Sequence, residues 1–256
     1  MNESFLSLNT DEALSRLTSW NITGIGLHPG GSNYVFVVRL EEPPTRPEDT
    51  EPDAGSPLYG IYKPQSGERP LRDFPYGTLH KRERAAFVLS RSLGWPLIPP
   101  TVVRDGPHGE GSVQFFIDAD EDANYFTMRD ECLGEFEPTA MFDVLVHNAD
   151  RKGGSCLMSD DGRVWAIDHG LTFNGIARRR TVMFEFNGQP YPDHLERSLE
   201  STLCEMGNAE SLLALELEHL IGQEELSALR KRGERMLESG TFPVLDPNFN
   251  VPWPFV

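Results

Sequence analysis

The chain has 256 residues, with 40 acidic against 23 basic side chains and a formal charge of −17 with histidine neutral, which excludes an overall basic nucleic-acid footprint. Its 38% hydrophobic and 10% aromatic content excludes disorder of the whole chain and suffices for one large or two small domains. No basic and apolar leader opens it, its apolar runs fall far short of the ~20 residues of a membrane span, and Cys132, Cys156 and Cys204 fit neither a disulfide framework nor a zinc site, so a soluble cytoplasmic chain with reduced thiols is expected.

Thr10, Asp11 and Glu12 predict the cap of a short helix through Leu14, Leu17 and Trp20. Residues 22–27 and 34–40 then read as strands, joined by the turn His28-Pro29-Gly30-Gly31-Ser32-Asn33. Residues 41–57 hold five prolines, six acids and no large apolar side chain, which predicts an exposed, mobile loop that divides strands rather than domains. Residues 58–63 form a third strand, closed by Pro64.

A helix is predicted from Thr78, as N-cap, to Leu93, with Gly94 as C′ residue and Pro96 beyond it. Leu79, Ala86, Phe87 and Leu93 mark its buried face, and Glu83 falls about 40° from Leu79 on that same face. A carboxylate on a core-facing stripe costs several kcal/mol unless it finds a cation or hydrogen bonds, so Glu83 demands a partner. Two further strands, 101–104 and 112–117, flank the Gly-rich turn 105–111. Five strands and this helix make an α+β lobe.

From about Asp118 the pattern turns helical. Pro138 opens a helix through Met141, Phe142, Leu145 and Val146, followed by the polar loop 147–154. Residues 155–158 and 163–167 then form a hairpin around the turn Ser159-Asp160-Asp161-Gly162. Because the outer ends of an antiparallel pair lie side by side, Asp150 and Asp168 are expected to converge. Amphipathic helices between about Pro192 and Gly240 read as scaffold, ahead of an aromatic, proline-rich peptide.

Two converging carboxylates, a glycine turn and a lysine at a strand end are what phosphoryl transfer requires. The charge of a triphosphate must be offset by lysine and Mg²⁺, and Mg²⁺ takes one or two carboxylates plus phosphate oxygens. On this reading Lys63 is the phosphate lysine and Glu83 its partner, Asp168 is the metal ligand, and Asp150 is the positioning or base residue. His28, His147 and His169 lack zinc spacing and read as structural.

These residues also carry a resemblance. Asn148-Ala149-Asp150-Arg151, followed 18 residues after Asp150 by Asp168-His169-Gly170, resembles the catalytic loop and metal-binding DxG of phosphatidylinositol 3- and 4-kinases, the type II 4-kinases above all. Tyr62-Lys63-Pro64, Gly67-Glu68-Arg69-Pro70-Leu71, Asp73-Phe74-Pro75, Gly94-Trp95, Pro99-Pro100-Thr101 and Arg104-Asp105-Gly106-Pro107 are similar to a bacterial family related to those lipid kinases. The resemblance spans most of residues 20–185. It implies a two-lobed protein-kinase-like fold, with residues 1–117 as an antiparallel-sheet nucleotide lobe and 118–256 as a mainly helical lobe. It further implies ATP between the lobes, with Gly30, Gly31 and Ser32 in the phosphate loop and Gln114, Phe115, Phe116 and Ile117 at the hinge.

Kinases of this type place an asparagine metal ligand five residues after the catalytic aspartate; here that position is Ser155, a poorer ligand. Arg151 and Lys152 are expected to supply local positive charge, and Arg178, Arg179 and Arg180 read as a solvated basic patch where lipid kinases recognise a head group. The charge of −17 disfavours approach to an anionic leaflet. The leading expectation is Mg²⁺-ATP-dependent phosphotransfer to an acceptor the sequence does not identify, whether small molecule, lipid or protein. A nucleotide-binding pseudokinase or regulatory module, motivated by Ser155, and nucleotidyl transfer on the same fold are the alternatives.

Overall fold

The computed structural model describes residues 9–29, 33–44 and 56–256. The chain divides into two compact units, residues 1–84 with 99–118 and residues 85–98 with 119–256.

The first unit opens with α1 (Thr10–Ser19), which buries Ala13 and Leu17. Its cap is Asn9 rather than Thr10: the Asn9 side chain accepts from Glu12 N at 2.8 Å, because an amide oxygen one residue earlier reaches the orphan N–H groups of the first turn. The strands β1 (Asn21–Leu27), β2 (Phe36–Glu41), β3 (Leu58–Pro64), β4 (Thr101–Gly106) and β5 (Gly109–Phe115) form one antiparallel sheet in the order β1-β2-β3-β5-β4. Arg104 Nη1 on β4 donates to the carbonyls of Leu17 and Trp20 at 2.7 and 2.9 Å, satisfying the end of α1.

Strict alternation along β3 buries Leu58, Gly60, Tyr62 and Pro64 and puts Lys63 on the other face with Tyr59 and Ile61. The glycines around the β4–β5 turn make room for Tyr62: a Cβ on Gly111 would stand 2.7 Å from its ring and 2.5 Å from the Lys63 carbonyl. The strand β5 ends at Phe115, two residues before the expected Ile117.

Helix α2 (Leu79–Leu93) runs across the division between the units and ends at Gly94, whose φ of +80° is the expected left-handed cap. Its buried surface is wider than one stripe, since His80, Arg82, Glu83, Ala85, Val88 and Leu89 are buried along with the predicted face. Thr78 precedes the helix, but its hydroxyl donates to the Pro75 carbonyl. The capping acceptor is the carboxylate of Glu68, which takes Gly77 N, Leu79 N and His80 N at 2.7, 2.9 and 3.3 Å. A carboxylate there also complements the positive end of the helix dipole.

In the second unit, α3 (Tyr125–Cys132) was not expected; Asn124 and Thr127 form its capping box. Helix α4 (Glu137–Leu145) has Pro138 in its first turn and buries Met141, Phe142 and Leu145. The hairpin is present as β6 (Cys156–Met158) and β7 (Val164–Ala166), shorter than predicted, with Gly162 at φ +78° in its turn. Helices α5 (Asp193–Gly207) and α6 (Leu212–Ser239) complete the unit, α6 being broken at Gly222. Their Leu199, Leu217 and Leu229 are fully buried, as the scaffold reading requires.

Candidate active site

In the sheet unit, Lys63 Nζ meets Glu83 Oε1 at 2.6 Å. The carboxylate is almost wholly buried, and the lysine retains about a fifth of its exposure. The pairing accounts for the buried charge on α2: a strand-end lysine on the outer face of β3 supplies the cation that Glu83 needs. Gln114 lies on β5 between Ile61 of β3 and Thr101 of β4, and its side-chain amide donates to Thr101 Oγ1 at 2.9 Å inside the sheet. Phe115 and Ile117 are buried, and Phe116 N donates to the Tyr59 carbonyl. Gly30, Gly31 and Ser32 lie outside the described residues, as do residues 45–55 of the acidic loop.

The helical unit carries the remaining residues. At the end of α4, His147 takes a left-handed φ of +55°, and the chain turns into a loop held by Asn148. The Asn148 amide donates to Asp143 Oδ1 at 2.8 Å, and its oxygen accepts from Asp150 N at 2.9 Å. Ala149 N donates to the Leu171 carbonyl, Arg180 N to the Asn148 carbonyl and Arg151 N to the Arg180 carbonyl. The loop is thereby tied to the segment after β7 along both of its sides.

Arg151 does not supply solvent-facing charge. It is fully buried, donates to both oxygens of Asp143, and gives Nη1 to the carbonyls of Ser155 and Ile167 at 2.8 and 3.0 Å. Its Nη2 stands 2.8 Å from His169 Nε2; a guanidinium only donates, so that nitrogen accepts, and His169 is structural as expected. Asp143 and Asn148 were missed. The signal for Asp143 was present, a carboxylate between Phe142 and Val144 in an apolar helix, the same anomaly that exposed Glu83.

This network fixes both ends of the hairpin. Ile167 N donates to the Ser155 carbonyl, and the next residue, Asp168, sits at φ +59°, a backbone region that costs a non-glycine residue of order 1 kcal/mol or more. Its carboxylate is exposed, with Oδ2 3.4 Å from the Ser155 hydroxyl. Ser155 itself is buried in the short turn before β6. Burial pushes the Asp150 carboxyl up; Lys152, 3.4 Å away, and Arg180 draw it back, and the charge of Asp168 raises it again. The charge of Asp168 thus reaches Asp150, and the Ser155 hydroxyl stands beside Asp168. Arg178 is exposed, whereas Arg179 and Arg180 are half-buried and depart from a solvated patch.

Comparison with known proteins bears on this arrangement. Residues 102–220 match the family described as phosphatidylinositol 3- and 4-kinase. Protein Rv2133c of Mycobacterium tuberculosis (strain ATCC 25618 / H37Rv) is 34% identical over 232 residues, which is 77% of this chain and 82% of that protein. The chain belongs to that protein's family, related to the catalytic domains of phosphatidylinositol 3- and 4-kinases. Phosphatidylinositol 4-kinase gamma 4 of Oryza sativa subsp. japonica is 30% identical over 144 residues, 49% of this chain but only 26% of the plant protein. The solved structure of hydra Fam20 with sugar superposes with a TM-score of 0.54 at 15% identity, covering 90% of this chain and 87% of that one. The fold is α+β and protein-kinase-like, and the family is one of kinase-type phosphotransferases.

Proposed function

We propose that the chain transfers the γ-phosphoryl group of Mg²⁺-ATP to a hydroxyl-bearing acceptor, with residues 1–117 as the nucleotide-binding lobe and 118–256 as the lobe that carries the catalytic loop. The observation that carries this reading is the convergence of Asp150, Ser155 and Asp168, the last on a strained backbone that the fold maintains. Among the described residues no group of three or more histidine, cysteine or acidic side chains could hold a metal. The exposed Asp168 carboxylate beside the Ser155 hydroxyl fits Mg²⁺, which takes few protein oxygens and completes its shell with phosphates and water.

Lys63, oriented by Glu83, offsets the charge of the phosphates. The segment Gln114-Phe115-Phe116-Ile117 contacts the base through groups its sheet pairing leaves over, and Gly30, Gly31 and Ser32, which lie outside the described residues, are assigned to the phosphate loop by the family resemblance alone. Asp168 would hold the metal, with the Ser155 hydroxyl beside it at 3.4 Å, and Mg²⁺ would supply positive charge against the phosphates. Asp150 orients the acceptor hydroxyl and takes its proton as the acceptor oxygen bonds to phosphorus and ADP leaves with the bridging oxygen. The buried hydroxyl in place of an amide at Ser155 favours a second reading, a module that binds nucleotide without transferring phosphate.

The test is calorimetry of ATP binding with and without Mg²⁺. Asp168→Asn is expected to remove most of the Mg²⁺-dependent affinity while leaving the melting temperature near that of the parent chain. An unchanged Mg²⁺ dependence contradicts the assignment.

A further inference from the structure

The segment Gly67-Glu68-Arg69-Pro70-Leu71 has no part in the transfer steps above, yet within the sheet unit several pieces of chain meet on it. It follows Lys63 and Pro64 directly, through the short helical turn Gln65–Gly67. On one side it holds the residues after Gly30, Gly31 and Ser32: Tyr34 N donates to the Gly67 carbonyl at 3.2 Å, and Arg69 N donates to Asn33 Oδ1 at 3.0 Å. That approach needs a glycine, since a Cβ on Gly67 would stand 2.9 Å from the Tyr34 carbonyl oxygen. On another side Ser66 Oγ donates to the His108 carbonyl, between β4 and β5, at 2.9 Å.

Glu68 itself reaches the first turn of α2. Its side chain is only 6% exposed, and its two oxygens accept from Gly77 N, Leu79 N and His80 N. The buried His80 ring extends the tie, meeting Glu68 Oε1 through Nδ1 at 3.3 Å and Glu110 Oε1 on β5 through Nε2 at 3.0 Å. Glu83 follows one helical turn after Leu79, on the same side of α2. Capping alone does not require this arrangement. Thr78 occupies the N-cap position, where a hydroxyl oxygen is able to take an N–H of the first turn. Instead its hydroxyl donates to the Pro75 carbonyl and accepts from Arg82 Nε at 3.1 Å. A local cap moves with its helix, whereas a cap drawn from just beyond β3 fixes where the helix starts relative to Lys63.

We propose that Glu68 is a positioning residue for the Lys63–Glu83 pair. By tying the first turn of α2 to the block that also anchors Asn33 and Tyr34, it sets Glu83 against Lys63. Its consequence for nucleotide binding rests on the phosphotransfer reading; its effect on the pair does not.

The experiment is a Lys63→Met, Glu83→Gln double-mutant cycle in thermal denaturation of the full chain. It is run in the parent, in Glu68→Ala and in Glu68→Ala with Thr78→Asn, alongside calorimetry of Mg²⁺-ATP binding. Asparagine is a stronger N-cap than threonine, so Thr78→Asn is expected to return part of the melting temperature lost in Glu68→Ala. The coupling between Lys63 and Glu83 is not expected to return with it, and Mg²⁺-ATP affinity is expected to stay at least about tenfold below the parent. A cap with no positioning role predicts the opposite, recovery of the coupling together with the melting temperature. If Glu68→Ala does not fold, Glu68→Gln, which keeps the length of the side chain and one acceptor oxygen, is expected to show a weakened coupling that Thr78→Asn does not restore. Coupling that is absent from the parent chain, unchanged by the Glu68 substitution or restored by Thr78→Asn overturns the proposal. ATP affinity indifferent to Lys63→Met in the parent contradicts the nucleotide reading instead, and the coupling still decides the role of Glu68.

Discussion

Arg151 donates to both carboxylate oxygens of Asp143, at 2.6 and 3.0 Å, with the guanidinium wholly removed from solvent. The pair joins the last turns of α4 to the residue after Asp150, and the remaining Arg151 donors hold the carbonyls at the start and end of the hairpin. Asp143 holds the Arg151 guanidinium protonated against the cost of burial. The charge is therefore a structural pin for the loop and takes no part in binding phosphate.

Removing one partner strands the other. Asp143→Ala is expected to cost about 3–5 kcal/mol in chemical denaturation, the range for breaking a buried ion pair. A cost below about 1 kcal/mol would show that Arg151 finds other acceptors and that the loop does not depend on the pair.

The Lys63–Glu83 pair should cost less to break, because Lys63 keeps part of its hydration. Lys63→Met is expected to lose about 1–3 kcal/mol of stability along with ATP affinity, and Glu83→Gln in the same chain should recover part of the stability. A double-mutant cycle in thermal denaturation without coupling between the two would refute a mutual role.

Asp150 carries a pH prediction. Its carboxyl is raised above the ordinary range, first by burial, so it keeps its proton to higher pH and acts as a base only above its own titration. The acid limb of the rate profile should therefore lie above the range of an ordinary aspartate, and Asp150→Asn should abolish transfer. The same shift penalises the charged form in the folded state, a penalty absent at low pH and fully present once pH passes the raised value. At neutral pH Asp150→Asn is thus expected to melt no lower than the parent chain and up to about 3 °C higher, the gap closing in acid. A variant that melts well below the parent would assign Asp150 a structural role.

Ser155 separates enzyme from binding module. The Ser155 hydroxyl stands 3.4 Å from Asp168 Oδ2; Ser155→Asn extends an amide oxygen one bond further from the backbone, and phosphotransfer or ATP hydrolysis at low Mg²⁺ is expected to rise. Tighter Mg²⁺-ATP binding without turnover would support the module.

Much of this was legible in the sequence because its signals are local. Strand alternation, the glycine after α2 and the hairpin turn each follow from neighbouring residues, and Glu83 announced its partner by breaking the apolar stripe of its helix. The unexpected features depend on residues distant in sequence. The cap of α2 comes from Glu68, eleven residues before Leu79, and the end of α1 is satisfied by Arg104, more than eighty residues on. Arg151 looks like any loop arginine until α4 is placed beside it with Asp143 facing it. Arg179, read as part of a solvated run, is half-buried.

The most direct test of the account is incubation of the full chain with ATP labelled in parallel at the γ and at the α phosphate, with Mg²⁺ and a cell extract as acceptor. The account predicts label from the γ position in product, none from the α position, and loss of that signal in Asp150→Asn and Asp168→Asn. Label from the α position would mean nucleotidyl transfer. No transfer from either position, at a level indistinguishable from Asp150→Asn, would contradict phosphotransfer by this chain.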